Sequence, residues 1–187
     1  GIAKPADVSE FGRKIHVEAS RMIQLVNDIL QLSHLDSVSE THAQPDMETV
    51  DLLDVAKDCV ERQKLNAQRS FISLTYLGES ARVLGNRDQL DELCQNLCDN
   101  AIRYNRPGGK VQLITSCTRD GHCTLTVKDN GIGIPKEAQT SVFERFYRVD
   151  KSRSKATGGT GLGLAIVKHI ARIHNARIKL ESVVDEG

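Results

Sequence analysis

The feature that most limits the possible folds is a long apolar stripe near the amino terminus. Apolar residues recur at alternating steps of three and four, interrupted only at Glu18, and they are Val8, Phe11, Ile15, Met22, Leu25, Ile29 and Leu32. Over residues 7–36 this spacing predicts one helix of about 45 Å. A small domain cannot bury a rod of that length, so the stripe predicts pairing with other helices.

The overall composition is that of an ordinary globular protein and excludes several classes. Of 187 residues, 39% are hydrophobic, and 25 Lys plus Arg balance 25 Asp plus Glu. This neutral charge argues against a general nucleic-acid or membrane-surface binder, which needs a basic excess. No apolar run approaches the roughly 20 residues of a membrane span, and no secretory signal begins the chain. We therefore expect a cytoplasmic protein that does not bind nucleic acid.

The five cysteines show no pattern of a redox or zinc site. Cys59, Cys94, Cys98, Cys117 and Cys123 include no CxxC pair and no histidine at zinc-ligand spacing. We predict reduced, buried thiols. A metal shared by Cys94 and Cys98, four apart on one helix, is the less favoured alternative.

A polar stretch separates the rod from a second region. The sequence SETHAQPDMET at 39–49 predicts a linker between a partial helical domain, 1–38, and a larger domain, 50–187. In the larger domain the patterns predict helices over 50–67, 86–104 and 162–174, and strands over 70–76, 81–84, 110–118, 123–128 and 177–183. The mixed order predicts an α+β fold with helices layered on one face of a mixed sheet.

Two glycine-rich segments carry the strongest functional signals. The first glycine segment, DNGIGIP at 129–135, follows a buried strand and offers a carboxylate that can accept a hydrogen bond from an exocyclic amine. The second glycine segment, TGGTGLGL at 157–164, precedes a helix whose free amides and dipole favour phosphate. It is not a Walker loop, because no Gly-Lys-Ser or Gly-Lys-Thr follows, and it does not fit GxGxxG, because Ile166 holds the last required position. For the first segment, a plain turn is the local alternative.

Polar and charged residues near these segments predict further ligand groups. Asn96 and Asn100 lie four apart on one helix face, and their amide oxygens suit Mg²⁺, although a solvated surface pair is the simpler interpretation. The stretch from Glu144 to Lys155 contains five basic residues and two acidic residues, a local net charge of +3. Aromatic residues and cations between two glycine segments predict a lid over a polyphosphate, with a solvated loop as the alternative.

Four motifs, taken in order and spacing, resemble the catalytic and ATP-binding domain of bacterial sensor histidine kinases. They resemble the N, G1, F and G2 boxes of that family, and they read NLCDNAIRY at 96–104, DNGIGIP at 129–135, FERFYRVD at 143–150 and GGTGLGLAIVK at 158–168. The rod sequence IQLVNDILQLSHLDS at 23–37 resembles the second helix of the dimerisation and phosphoacceptor domain. The resemblance implies the Bergerat fold, a two-layer sandwich of a mixed sheet and a helix layer.

The resemblance also implies roles for individual residues. Asp129 would accept from the adenine amino group, in a pocket shaped by Gly131, Gly133 and Ile134, and Tyr104 would stack on the base. Asn96 and Asn100 would serve Mg²⁺ and the phosphates. Arg103, where many relatives carry Lys, would reach the phosphates. The backbone amides implied to bind the phosphates belong to Gly159, Thr160, Gly161, Leu162 and Gly163. The implied lid cations are Arg145, Arg148 and Lys151, and Phe143 and Phe146 would anchor the lid.

One family feature is missing from this sequence. The family transfers phosphate to a His followed by Glu or Asp and, further on, Pro. Neither His16, followed by Val17 and Glu18, nor His34, in LSHLDS, fits this pattern. We expect a fragment of a longer kinase, cut at both ends, that lacks the phosphoacceptor helix and the last strand.

The implied function is that of an ATP-dependent protein-histidine kinase of a two-component system, using ATP and Mg²⁺. The resemblance implies a homodimer formed through a four-helix bundle, a response regulator receiver domain as partner, and a membrane-anchored parent protein. Three alternatives share the nucleotide fold: gyrase-type and chaperone ATPases, anti-sigma serine kinases, and an ATP-binding or docking module without transfer. The bundle helix and the lid motif argue against the first two.

Overall fold

The computed structural model describes residues 5–41, 46–149 and 159–187. In chain order the elements are α1 (Pro5–Thr41), β1 (Glu48–Asp51), α2 (Leu52–Arg69), β2 (Ser73–Gly78), β3 (Arg82–Gly85), α3 (Arg87–Arg103), β4 (Lys110–Cys117), β5 (Cys123–Asp129) and α4 (Gly163–Ile173). Strand β4 is the centre of a mixed sheet, parallel to β2 and antiparallel to β5. Strands β1 and β3 form a separate antiparallel pair.

The helices α2 and α3 cover one face of the mixed sheet. Alternate residues of β4, including Val111 and Leu113, are fully buried beneath them. Val55 on α2 and Cys94 on α3 belong to the same apolar core. This arrangement confirms the predicted two-layer α+β fold with a mixed sheet and a helix layer.

Most of the stripe residues of α1 whose side chains the structure describes, a set that does not include Leu32, are exposed. Those more than half exposed are Val8, Phe11, Ile15 and Met22. Leu25 differs, because it packs against a second apolar cluster that α4 and Leu162 build. None of the helices in the described ranges combines the length and hydropathy needed to cross a bilayer.

The start of the larger domain differs from the prediction. Residues 48–51 form β1, so the helix predicted from residue 50 begins instead at Leu52. The cause is Asp51, whose carboxylate accepts from the amides of Leu53 at 3.0 Å and Ala81 at 2.9 Å. An aspartate that caps a helix in this way has extended backbone itself and joins the strand. The division into 1–38, 39–49 and 50–187 stays a prediction.

The predicted strand over 177–183 is wrong, because this stretch has no strand structure. Its last residues belong to the carboxy-terminal segment, residues 182–187, which folds back on itself: the Val183 amide donates to the Gly187 carbonyl at 2.8 Å. The Asp185 amide donates to the Ile132 carbonyl at 3.0 Å. These hydrogen bonds go to a turn and a loop rather than to a neighbouring strand. The carboxy-terminal segment therefore packs against the first glycine segment.

The cysteine prediction is confirmed for three residues and wrong for two. Cys59, Cys94 and Cys98 are free and buried, and hydrogen bonding to Cys59, together with burial, raises the pKa of the other two thiols. Cys117 and Cys123 instead form a disulfide, since the β4–β5 register places them opposite each other with Cα atoms 4.1 Å apart. In the described residues no group of three or more His, Cys, Asp or Glu could hold a metal.

Candidate nucleotide-binding site

The first glycine segment is shaped by close backbone neighbours. Asp129 ends β5, and its Oδ1 accepts from the Gly131 amide at 2.8 Å, which fixes the direction of the carboxylate. A Cβ at Gly131 would stand 2.5 Å from the Tyr104 carbonyl oxygen. Gly133 has a φ of +67°, and a Cβ there would overlap the Val183 carbonyl. Only glycine fits at these two positions.

Tyr104 connects the two glycine segments. It caps the carboxyl end of α3, and its carbonyl accepts from the Ile132 amide at 3.1 Å. Its hydroxyl oxygen lies 3.3 Å from the position that a Cβ of Gly159 would take. The side chain therefore extends from the first glycine segment to the second.

Asn96 and Asn100 face the start of α4, far away in the sequence. A Cβ at Gly163 would stand 2.8 Å from Asn96 Oδ1 and 3.7 Å from Asn100 Nδ2. Asn96 Nδ2 donates to the Glu92 carbonyl at 3.1 Å, which leaves Oδ1 turned toward α4. Leu162, the N-cap of α4, makes no side-chain hydrogen bond to the first turn, and the amides of Asn96 and Asn100 lie beside this helix amino terminus.

Two arginines converge on Gly159. Arg103 Nη1 lies 2.8 Å, and Arg148 Nη2 lies 3.7 Å, from the position of a Cβ at Gly159. The other terminal nitrogen of Arg103 pairs with Asp99 at 2.7 Å across one helical turn. Sequence reasoning missed Asp99, although the i, i+4 spacing of an acid and a base on one helix signals such a pair.

The entrance to the predicted lid is fastened to the second glycine segment. The Phe146 amide donates to the Gly161 carbonyl at 2.9 Å, and Phe146 holds a left-handed φ of 62°. Arg145 and Phe146 are exposed, whereas Phe143 is half-buried. Leu162 is fully buried, and its amide donates to Thr160 Oγ1 at 3.4 Å. Lys151 lies outside the described residues.

Both backbone hydrogen-bonding groups of Ile134 are engaged by residues that sequence reasoning missed. The Ile134 amide donates to Ser182 Oγ at 2.8 Å, and its carbonyl accepts from Gln139 Nε2 at 2.9 Å. Gln139 and Ser182 carry no local signal of this role, since Ser182 lies 48 residues from Ile134. Tyr104, Asn96, Asn100, Arg103 and Arg148 thus lie beside glycines of the two segments, and Arg145 is exposed at the lid entrance.

Comparisons with known proteins show the family of this chain. A family model described as histidine kinase-, DNA gyrase B-, and HSP90-like ATPase matches residues 85–187. The sensor-like histidine kinase SenX3 of Mycolicibacterium smegmatis is 42% identical over 184 residues, 98% of this chain and 47% of the relative. The chain thus spans about half the length of that curated relative.

Solved structures share the fold. The mycobacterial sensor histidine kinase MprB is 34% identical with a TM-score of 0.60, over 70% of this chain and 81% of that one. The histidine kinase ThkA, in complex with the response regulator protein TrrA, is 18% identical with a TM-score of 0.69, over 94% of this chain and 47% of that one. The resemblance to the catalytic domain of sensor histidine kinases is confirmed, and the chain belongs to the histidine kinase-, DNA gyrase B-, and HSP90-like ATPase family.

Proposed function

We propose that this chain is the catalytic, ATP-binding part of a sensor histidine kinase in a two-component system. Mg-ATP binds between α3, α4 and the two glycine segments, and its γ-phosphate is presented to a histidine on a separate helix. The observation that carries the proposal is the approach of Gly163 to Asn96 and Asn100. It places a helix amino terminus, which favours phosphate, beside the Asn96 amide oxygen, which favours Mg²⁺, and beside the Asn100 amide nitrogen, which can donate to phosphate.

The first glycine segment and Tyr104 receive the base. Asp129 accepts a hydrogen bond from the adenine amino group, because its carboxylate is already oriented by the Gly131 amide. Gly131, Gly133 and Ile134 form the wall of this pocket. The Tyr104 ring, whose hydroxyl reaches Gly159, stacks on the base.

The second glycine segment and the arginines receive the phosphates. Backbone amides at the start of α4 donate to them, and the residues concerned are Gly159, Thr160, Gly161, Leu162 and Gly163. Arg103 and Arg148, which converge on Gly159, supply positive charge. Arg145 and Lys151 are the further cations that we assign to the lid.

The residues present fit Mg²⁺ held jointly with the nucleotide. In the part of the chain that the structure describes, no cluster of three or more His, Cys, Asp or Glu could hold a metal alone. Asn96 and Asn100 provide amide groups at one face of α3, and Mg²⁺ takes a few protein oxygens together with phosphate oxygens and water. When bound, Mg²⁺ would neutralise charge on the phosphates.

The chemistry that these residues perform is positioning and charge stabilisation. Phosphoryl transfer needs little covalent help from a protein, and most of the rate comes from aligned groups and fixed positive charge. Arg103 is held in place by Asp99, so its charge needs no rearrangement when the nucleotide binds. Neither His16 nor His34 fits the acceptor pattern, and we propose that the chain binds ATP without phosphorylating itself. Acid-labile phosphate on either histidine after incubation with labelled ATP would contradict this.

The family membership supports the partners and the location that we propose. The exposed apolar stripe of α1 is the surface through which two copies pair into a four-helix bundle. A response regulator receiver domain accepts the phosphoryl group, on the cytoplasmic side of a membrane-anchored parent. Cross-linking of a longer protein that includes the helix pair tests the dimer.

Titration with Mg-ATP tests the base contact. Asp129→Asn places amide hydrogens where the carboxylate accepts, so we expect the affinity to fall about tenfold or more, because a hydrogen bond to a charged group is worth about 1.5–3 kcal/mol. Asp120→Asn, on the exposed β4–β5 turn, is the matched control and should bind like the wild type. Equal affinity of Asp129→Asn and wild type would contradict the adenine contact.

A further inference from the structure

Gln139 uses both of its amide hydrogens to join two distant segments. Its Nε2 donates to the Ile134 carbonyl and to the Ser182 carbonyl, each at 2.9 Å. Gln139 lies on the turn that follows the first glycine segment, where its backbone amide donates to the Lys136 carbonyl at 3.3 Å. A side chain at this position must therefore donate twice, which neither a carboxylate nor an apolar group can do.

Ser182 completes the same connection from the other side. Its hydroxyl accepts from the Ile134 amide at 2.8 Å and donates to the Gly187 carbonyl at 3.1 Å. Ile134, Gln139 and Ser182 thus form a closed triangle of three hydrogen bonds. Donor and acceptor are matched in each bond, and all three are partly buried.

The triangle stands at the most constrained point of the first glycine segment. Gly133, directly before Ile134, has no room for a Cβ because of the Val183 carbonyl, which neighbours Ser182. The Asp185 amide holds the Ile132 carbonyl at 3.0 Å. The carboxy-terminal segment therefore fixes the backbone on both sides of Gly133, and Gln139 locks that segment in place.

We propose that Gln139 and Ser182 are positioning residues that hold the first glycine segment in the shape that accepts the adenine base. The inference rests on the proposed function, because it assumes that this segment receives the base. The proposal also predicts that binding of the base and binding of the phosphates depend on different residues. Loosening the triangle disturbs recognition of the base and leaves the phosphate groups at the second glycine segment unaffected.

Calorimetric titration of the full chain with Mg-ATP and with Mg-triphosphate, which lacks base and sugar, tests the proposal. Gln139→Glu removes both donors, and Ser182→Ala removes the acceptor of the Ile134 amide. We expect each to bind Mg-ATP about tenfold more weakly while Mg-triphosphate affinity stays within about twofold. Ser182→Thr keeps the hydroxyl and should restore Mg-ATP affinity.

Ser80→Ala is the matched control, because it also removes a hydroxyl that joins distant segments, here to Asp51, away from the site. It should change neither affinity. Unchanged Mg-ATP binding in Gln139→Glu and Ser182→Ala, or an equal loss for both ligands, would overturn the inference. If wild type binds Mg-ATP and Asp129→Asn weakens it, such a result would leave the proposed function intact.

Hydrogen exchange at the Ile134 amide tests the positioning without nucleotide. We expect faster exchange in Ser182→Ala, where this amide loses its acceptor, and wild-type exchange in Ser80→Ala and Ser182→Thr. Slow exchange in Ser182→Ala would contradict the inference even if nucleotide binding could not be measured. A wild-type chain that failed to bind Mg-ATP would instead contradict the proposed function.

Discussion

The two glycine segments need glycine for different physical reasons. At Gly131 and Gly133 the space for a Cβ is taken by backbone carbonyls, which cannot move without moving the fold. At Gly159 and Gly163 it is taken by the ends of Arg103 and Asn96, which are the groups that we assign to phosphate and Mg²⁺. Gly131 and Gly133 are thus part of the architecture, whereas Gly159 and Gly163 are fitted to functional side chains. Substitution should lower folding stability at the first pair and ligand affinity at the second pair.

The largest effect is expected for Gly133→Ala. The variant combines a left-handed φ of +67° with overlap on the Val183 carbonyl, so we expect the free energy of unfolding to fall by about 3 kcal/mol or more. Gly121→Ala is the control, because its φ is +80° but nothing in the described part of the chain lies within 4 Å of the new Cβ. It should lose only about 1 kcal/mol. Equal losses in urea unfolding would remove the distinction drawn for the first segment.

A smaller and different effect is expected for Gly163→Ala. The new methyl group would press on Asn96 Oδ1, 2.8 Å away, so we expect Mg-ATP affinity to fall about tenfold, or about 1.4 kcal/mol. The thermal midpoint should hold or rise slightly, because alanine favours the helix by up to about 1 kcal/mol.

Gly12→Ala in α1 is the control for helix propensity, since a Cβ there meets nothing among the described residues. It should change stability alone. A Gly163→Ala variant that unfolds early but binds normally when folded would show that the second segment is also architectural.

The smallest effect is expected away from both segments, at Asp51. Its hydrogen bonds from the Ser80 hydroxyl and the Ala81 amide lower the pKa of its carboxyl from 3.8. Because the folded state holds the proton more weakly than the unfolded state, this stabilisation is complete above pH 3.8 and is lost as the pH falls through the lowered value.

Asp51→Ala should therefore cost about 1 kcal/mol near neutral pH, the usual worth of a helix cap, and the difference from wild type should shrink below pH 3.8. Mg-ATP affinity should not change, so Asp51→Ala serves as a variant that alters folding stability without altering nucleotide binding. A difference that stays constant down to low pH would show that the carboxylate charge contributes nothing.

The sequence was sufficient to predict those features of the fold and the candidate site that depend on a single helix or strand. Helical spacing predicts that Asn96 and Asn100 share one face of α3, and in the structure both lie beside Gly163 at the start of α4. Contacts that depend on where separate segments meet could not be predicted. Gln139 and Ser182, 43 residues apart, look like ordinary turn and strand residues in the sequence.

The errors have the same origin. The sequence patterns predicted strands over 110–118 and 123–128, but pairing Cys117 with Cys123 also requires the register of the two strands. The pattern over residues 177–183 predicted a strand, yet a strand also needs a neighbour with free backbone groups. In this chain Ser182 and its neighbours satisfy a loop instead.

The packing of Leu25 has a mechanical consequence. This residue of the rod is in the apolar cluster of Leu162 and Ile166, Leu162 immediately precedes Gly163, and Gly163 lies against Asn96. The rod is therefore connected to the proposed metal ligand through a short series of packed contacts without an intervening flexible link. A rotation or sliding of α1 against the domain must either break that apolar contact or carry the start of α4 with it.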